Sequence, residues 1–189
     1  IVLSHGHYDH TGGLRFAFHR ARRARLFLHP QALVRRYVKD SGRGREIGLA
    51  SMTGPELRRE ETRLVWTSCP TEVVPGVFVT GEIPRRTDYE NTGGDFFLDA
   101  GCRMPDPILD DQALYLDTRF GVVVILGCAH AGVVNTLRYL RAMTNRPLHA
   151  VIPGMIVRVA VAVVFAVCLV VLVVVGDEVV QGEAVVRGD

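Results

Sequence analysis

Short apolar runs, punctuated by glycine, proline and histidine, organise residues 1–152. Ile1-Val-Leu3 is apolar and reads as a buried strand, and the polar, glycine- and histidine-rich stretch Ser4 to Gly13 predicts a loop. Leu14 to Arg25 predicts a helix whose Arg15, Arg20, Arg22, Arg23 and Arg25 form either a solvated face or an anion-attracting rim. Leu26–Leu28 predicts a strand closed by His29-Pro30, and Pro30 suits the first turn of a helix reaching about Asp40. Ser41 to Gly48 predicts a loop and Pro55 to Glu61 a short charged helix. Leu64–Trp66 and Val77–Thr80 are predicted strands, separated by Pro70 and Pro75-Gly76.

The second half opens with Arg85 to Pro107, which has little periodicity; a segment that long without regular structure is more often functional or mobile than neutral. Gln112 to Asp117 alternates as a half-buried strand does, Thr118 to Gly121 reads as a turn, and Val122 to Leu126 as a strand buried on both faces. Gly127 to His130 predicts a loop, Ala131 to Met143 a helix with Val133, Val134, Leu137 and Leu140 on one face, and Leu148–Ile152 a strand. This alternation predicts a layered α/β domain over 1–152. Residues 153–189 stand apart as a valine-rich tail. Within it, 159–175 carries no charge across seventeen residues, the lower limit for a membrane span. Its composition and the lack of Trp or Tyr at its ends weigh against a span. A membrane anchor and sequence foreign to the domain stay open as alternatives.

Composition adds limits. A chain of 189 residues, 48% hydrophobic and 22% charged, fits one globular domain. A net charge of +2 supplies no global field for nucleic acid, so no nucleic-acid partner is expected. No charged leader or cleavage site precedes Ile1, so no signal peptide is read and a cytoplasmic location is expected. Cys69, Cys102, Cys128 and Cys168 are scattered without a CxxC pair, and are expected to be reduced and mostly buried.

The chemistry concentrates in His5-Gly-His7-Tyr-Asp9-His10, where three imidazoles and a carboxylate fall within six residues of a strand end. Such donors suit a divalent metal: zinc first, with iron or manganese as alternatives, and one or two ions. Desolvating this cluster without a metal is costly, so ordinary core or surface histidines are a poor account of it. His130 has a weaker local case, but it too lies in a loop after a strand. His19 is expected on a helix surface, His149 as structural, and His29 as a solvated loop group or, less often, one facing the site.

SHGHYDHTGGL (Ser4 to Leu14) resembles the signature of the metallo-β-lactamase superfamily. His29-Pro30, TGEIPR (Thr80 to Arg85), Tyr89-Glu90, DDQALYL (Asp110 to Leu116) and GCAHAGVVNT (Gly127 to Thr136) narrow the likeness. Together they resemble the branch of metal-dependent hydrolases related to dihydropterin-ribofuranosyl-aminobenzene-phosphate synthase. The resemblance covers about residues 1–152. It implies an αββα sandwich with the site at one edge, His5, His7 and His130 on one metal, and Asp9 and His10 on a second. Family members carry strands before the first motif and a metal-binding histidine after the last strand. This sequence opens at Ile1 and has no histidine after His149, so a partial sandwich with an atypical end is expected.

The expected activity is hydrolysis of an ester, amide or phosphoester by metal-activated water, with Asp9 orienting the nucleophile or taking its proton. Arg85 is a candidate for meeting a small anionic substrate. A synthase-like transferase, and an inactive fragment or membrane-anchored non-enzyme, are the alternatives. The oligomeric state is left open.

Overall fold

The computed structural model describes residues 1–49 and 54–154. The 159–175 run therefore lies outside the described residues; among those described, no helix is long and apolar enough to cross a membrane. In chain order the elements are α1 (Tyr8–Thr11), α2 (Leu14–Arg20), β1 (Leu26–Leu28), a 3-10 turn (Pro30–Leu33), β2 (Tyr37–Asp40), β3 (Arg43–Glu46), α3 (Gly54–Arg59), a second 3-10 turn (Glu61–Arg63), β4 (Leu64–Trp66), β5 (Thr71–Val74), β6 (Val77–Val79), β7 (Phe96–Phe97), β8 (Leu114–Thr118), β9 (Gly121–Ile125), α4 (Val133–Thr144) and β10 (Leu148–Ile152).

Three sheets form. β1 pairs with β4 in parallel, and the opening segment extends this pair through a parallel bridge from Val2 to Phe27. A five-stranded sheet runs β10-β9-β8-β6-β5, and a three-stranded one β3-β2-β7. Strand alternation divides the apolar side chains. Leu26 and Leu28 of β1 join Leu3, Leu14, Phe18 and Leu57 in one buried cluster, beneath α2 and α3. Phe27, on the opposite face, joins Val2, Val79 and Leu114 between the short sheet and the five-stranded one. The far face of the large sheet buries Tyr115, Val122 and Val124 against Leu140 of α4. Each fully buried Leu or Val contributes roughly 1.5–3 kcal/mol of transfer free energy. The result is a mixed α/β fold.

Several sequence expectations change here. The polar stretch after Leu3 is not all loop: α1 starts within it. The helix at Leu14 stops at Arg20, because Ala21 leaves helical geometry at φ −101°, ψ 66°. The segment from Pro30 forms only a 3-10 turn before β2, and the expected loop at Ser41–Gly48 holds β3 instead. Ser41 and Gly42, at φ 49° and 81°, make the reversal between β2 and β3. These two strands are largely exposed, so no apolar alternation marked them. β5 fits between Pro70 and Pro75. Val123 and Ile125 of β9 are half-buried rather than fully enclosed. On α4, Val133 is exposed, and Asn135 and Thr136 take buried places instead.

Candidate metal centre

The first motif sits where the opening strand leaves the sheet. Leu3 N–H donates to Phe27 O, and the Gln112 side-chain amide donates to Leu3 O at 2.8 Å. The chain then folds over Gly6, where a Cβ would lie 2.2 Å from Ala32 O, too close for any side chain. Gly6 N–H donates to Asp110 Oδ2 at 2.7 Å. Asp110 and Asp106 both accept from Arg36, a guanidinium only 1% exposed. A buried charge cluster thus fixes the peptide between His5 and His7.

The second motif arrives from β9. Gly127 lies against the first motif so closely that a Cβ there would come within 2.6 Å of Ser4 Cβ. Ala129 then adopts a left-handed φ of 55°, an uncommon conformation for a residue with a side chain. This sharp turn separates Cys128 from His130.

Residues far apart in sequence meet at this junction. One nitrogen from each of His5, His7 and His130 lies within 4.8 Å of the others. His5 Nε2 is 3.1 Å from His7 Nδ1, close to the roughly 3.3 Å separating adjacent nitrogens on a tetrahedral zinc with ~2.0–2.1 Å bonds. His130 Nδ1 faces Thr92 O at 2.6 Å; an acceptor there requires the proton on Nδ1 and leaves a lone pair on Nε2. Among the described residues, His130 Nε2 is buried without a hydrogen-bond partner, and such orphaned atoms are rare without a ligand to explain them; on His7 it is Nδ1 that faces His5, and its Nε2 is buried and unpartnered on the other side of the ring. Burial, followed by the neighbouring His10, His7 and His130 and by Arg36, holds His5 well below the usual imidazole pKa. Burial, then His130, Arg36 and His10, pushes His7 down to about 3. Neutral imidazole is the metal-binding form, so these residues fit a divalent metal.

A second group adjoins the first. Ligand atoms of His5, His10 and Cys128 also lie within 4.8 Å of one another. His10 Nε2 is 2.9 Å from Cys128 Sγ and 3.5 Å from Asp9 Oδ2. Cys128 had no signal in the sequence beyond its place two residues before His130, and the expectation of mostly buried cysteines fails for the three described ones: Cys69 and Cys128 are exposed and Cys102 is half-buried, because all three sit in loops, while Cys168 lies outside the described residues.

Around the centre, Asp111 Oδ2 accepts from Ala131 N–H at 2.7 Å, and burial pushes the Asp111 carboxyl up to about 6. Phe96 lies with its ring centroid 4.9 Å from that of His7 and 5.3 Å from that of His130. It also lines an adjoining cavity of about 610 Å³ with Arg85, Thr92, Asp95 and Pro107. Arg85 is half-buried there and donates to Pro107 O at 2.6 Å. Thr92 and Phe96 come from a segment without periodicity, which hid their role. His29 is buried, against the expectation of a solvated group: its Nδ1 accepts from Gln31 N–H at 3.1 Å, and its Nε2 is buried without a partner among the described residues. His19 is exposed as expected, and His149 stacks on Phe120.

No family model matches the chain. Over 165 residues it is 28% identical to the 7,8-dihydropterin-6-methyl-4-(beta-D-ribofuranosyl)-aminobenzene-5'-phosphate synthase of Methanocaldococcus jannaschii, covering 82% of this chain and 54% of that protein. An uncharacterized protein of the same organism is 29% identical over 146 residues, covering 77% of this chain and 53% of its own length. In structure, the chain is similar to a crystal structure of a metal-dependent hydrolase of the β-lactamase superfamily. The TM-score is 0.62 at 28% identity, with 80% of this chain and 55% of the other covered. The chain spans about half the length of the relatives it matches. The resemblance read from the motifs thus holds in both sequence and fold.

Proposed function

We propose that this chain carries the metal centre of a metal-dependent hydrolase acting on a small ester, amide or phosphoester. The observation that carries the reading is the convergence of His5, His7 and His130, with the buried Nε2 of His130 lacking a partner among the described residues. His5, His7 and His130 would hold one ion, and His10 with Asp9 would serve a second. Zinc suits the donors best, and a divalent ion there supplies an acidified water and a Lewis acid for the oxygen under attack.

The chain's own groups do the rest. Thr92 O holds the proton on His130 Nδ1 and so fixes which nitrogen faces the ion. Asp9 Oδ2, beside His10 Nε2 and half-open to solvent, is the carboxylate suited to accept the nucleophile's proton. Phe96 packs against the His7 and His130 rings on the cavity side. Within the cavity, Glu90 is engaged by helix N–H groups and Asp106 is paired with Arg36; Arg85, which also donates to the neutral Pro107 O, and Asp95 are the other charged residues of the lining. Arg85 would meet an anionic group. The likeness to a synthase supports a transferase on a phosphorylated substrate as the second reading.

The test is hydrolysis of a panel of nitrophenyl esters, phosphomonoesters and phosphodiesters by zinc-loaded chain beside His7→Ala. Outer-sphere changes already cost 10–100-fold at such sites, so loss of a ligand is expected to lower the rate by more than about 100-fold. Full activity and full metal content in His7→Ala would contradict the reading.

A further inference from the structure

We propose that Cys128 is a thiolate ligand of the second metal position, paired with His10; this rests on the hydrolase reading above. His5 belongs to both candidate groups, and its Nε2 already faces His7 Nδ1 at 3.1 Å. With His5 committed to the first position, His10 and Cys128 remain as the donor pair of the second. Their 2.9 Å separation is that of an ordinary N–H···O bond, although sulfur is the larger atom. Ser4 Oγ lies 3.4 Å from His10 Nδ1, so the far nitrogen of the ring is held while Nε2 faces the thiol. This is how ligating histidines are usually oriented. Asp9 Oδ2 stands 3.5 Å from the same Nε2 and is a carboxylate placed to complete the set. The left-handed Ala129 lets one short loop serve both positions, His130 in the first and Cys128 in the second.

The consequence is selectivity. Imidazole and carboxylate alone would accept manganese or iron, whereas a thiolate favours zinc and cobalt over magnesium and manganese. Cys128 is exposed, so the position stays open to an incoming group on its sulfur side.

Cobalt(II) titration of the full chain tests this, read by bound cobalt per chain and by the near-ultraviolet thiolate-to-cobalt charge-transfer band. The band is expected in the wild type and in a variant lacking Cys69, Cys102 and Cys168, and absent in Cys128→Ser, with cobalt affinity of the second position lowered by about 10-fold or more. It should persist in His130→Ala, which strips the first position alone. In the unaltered chain, bound cobalt should slow iodoacetamide alkylation of Cys128 and leave Cys69 unaffected, a readout that needs no variant. Cobalt bound in a His130-dependent way with no thiolate band, and with Cys128 alkylated at its metal-free rate, would overturn the proposal and leave the hydrolase reading standing. A Cys128-dependent band with cobalt content unchanged in His130→Ala would support the proposal and remove His130 from the hydrolase reading. No bound cobalt at all would overturn both.

Discussion

Arg36 is the residue on which the geometry of the first motif turns. Its guanidinium, 1% exposed, binds Asp106 and Asp110, and Asp110 in turn receives the Gly6 N–H between His5 and His7. Removing one partner of a buried ion cluster leaves uncompensated charge, which costs more than the pairing itself contributes. Arg36→Leu is therefore expected to lower unfolding stability by about 3–5 kcal/mol in urea denaturation. An effect under about 1 kcal/mol, the range of an exposed ion pair, would show the cluster to be incidental. This role was not legible in the sequence, where an arginine beside Arg35 reads as a surface charge. The four residues of the HxHxDH motif were legible because their types and spacing carry chemistry before any fold is known. Cys128 was not, since only the fold brings its sulfur to His10.

At the level of elements, the irregular segment from Arg85 to Pro107 is tied to the start of α4. The Glu90 carboxylate accepts from Val134 and Asn135 N–H, both at 2.8 Å, and Asn135 Oδ1 accepts from Arg86 and Thr87 N–H. This clasp holds Thr92, whose carbonyl orients His130. Burial pushes the Glu90 pKa up, but the N–H donors of Val134, Asn135 and Val133 and the Thr87 hydroxyl outweigh it, and the net shift is downward from 4.5. A depressed carboxyl pKa gives stability that is fully present above the unfolded value and is lost as pH falls through the folded one. Glu90→Gln should thus lower stability by about 0.3–1 kcal/mol at neutral pH, the range for a carboxylate at a helix N-terminus. The gap between variant and wild type should close as pH falls below 4.5. Thermal melts across that range check it; a gap that widened in acid would reverse the sign and contradict the clasp. The helix and strands that surround this segment were readable from their apolar periods. The segment itself was not, because its order comes from side-chain bonds to α4. The β2–β3 hairpin escaped for a related reason: it buries too little apolar surface to leave a period.

For the molecule as a whole, the centre lies where two strands from different sheets end side by side, the opening strand and β9. Gln112, just before β8, anchors the opening strand, its backbone N–H donating to Ser4 O and its side-chain amide to Leu3 O, while β8 itself pairs with β9. Residues 125 positions apart in the chain, His5 and His130, meet through that seam, with ring centroids 4.7 Å apart. The layered α/β class was readable from the alternation of elements, and the resemblance supplied the pairing of the two motifs. Neither gave the cavity beside Phe96, which depends on a two-residue strand, β7, set against β2. The central claim is that this seam builds a metal site from both motifs, and elemental analysis of the purified chain beside His130→Ala tests it most directly. The account predicts bound zinc in the wild type and a clear loss of zinc in His130→Ala with the fold intact by circular dichroism. Zinc content unchanged by the substitution, or no bound metal in a folded wild-type chain after zinc loading, would contradict it.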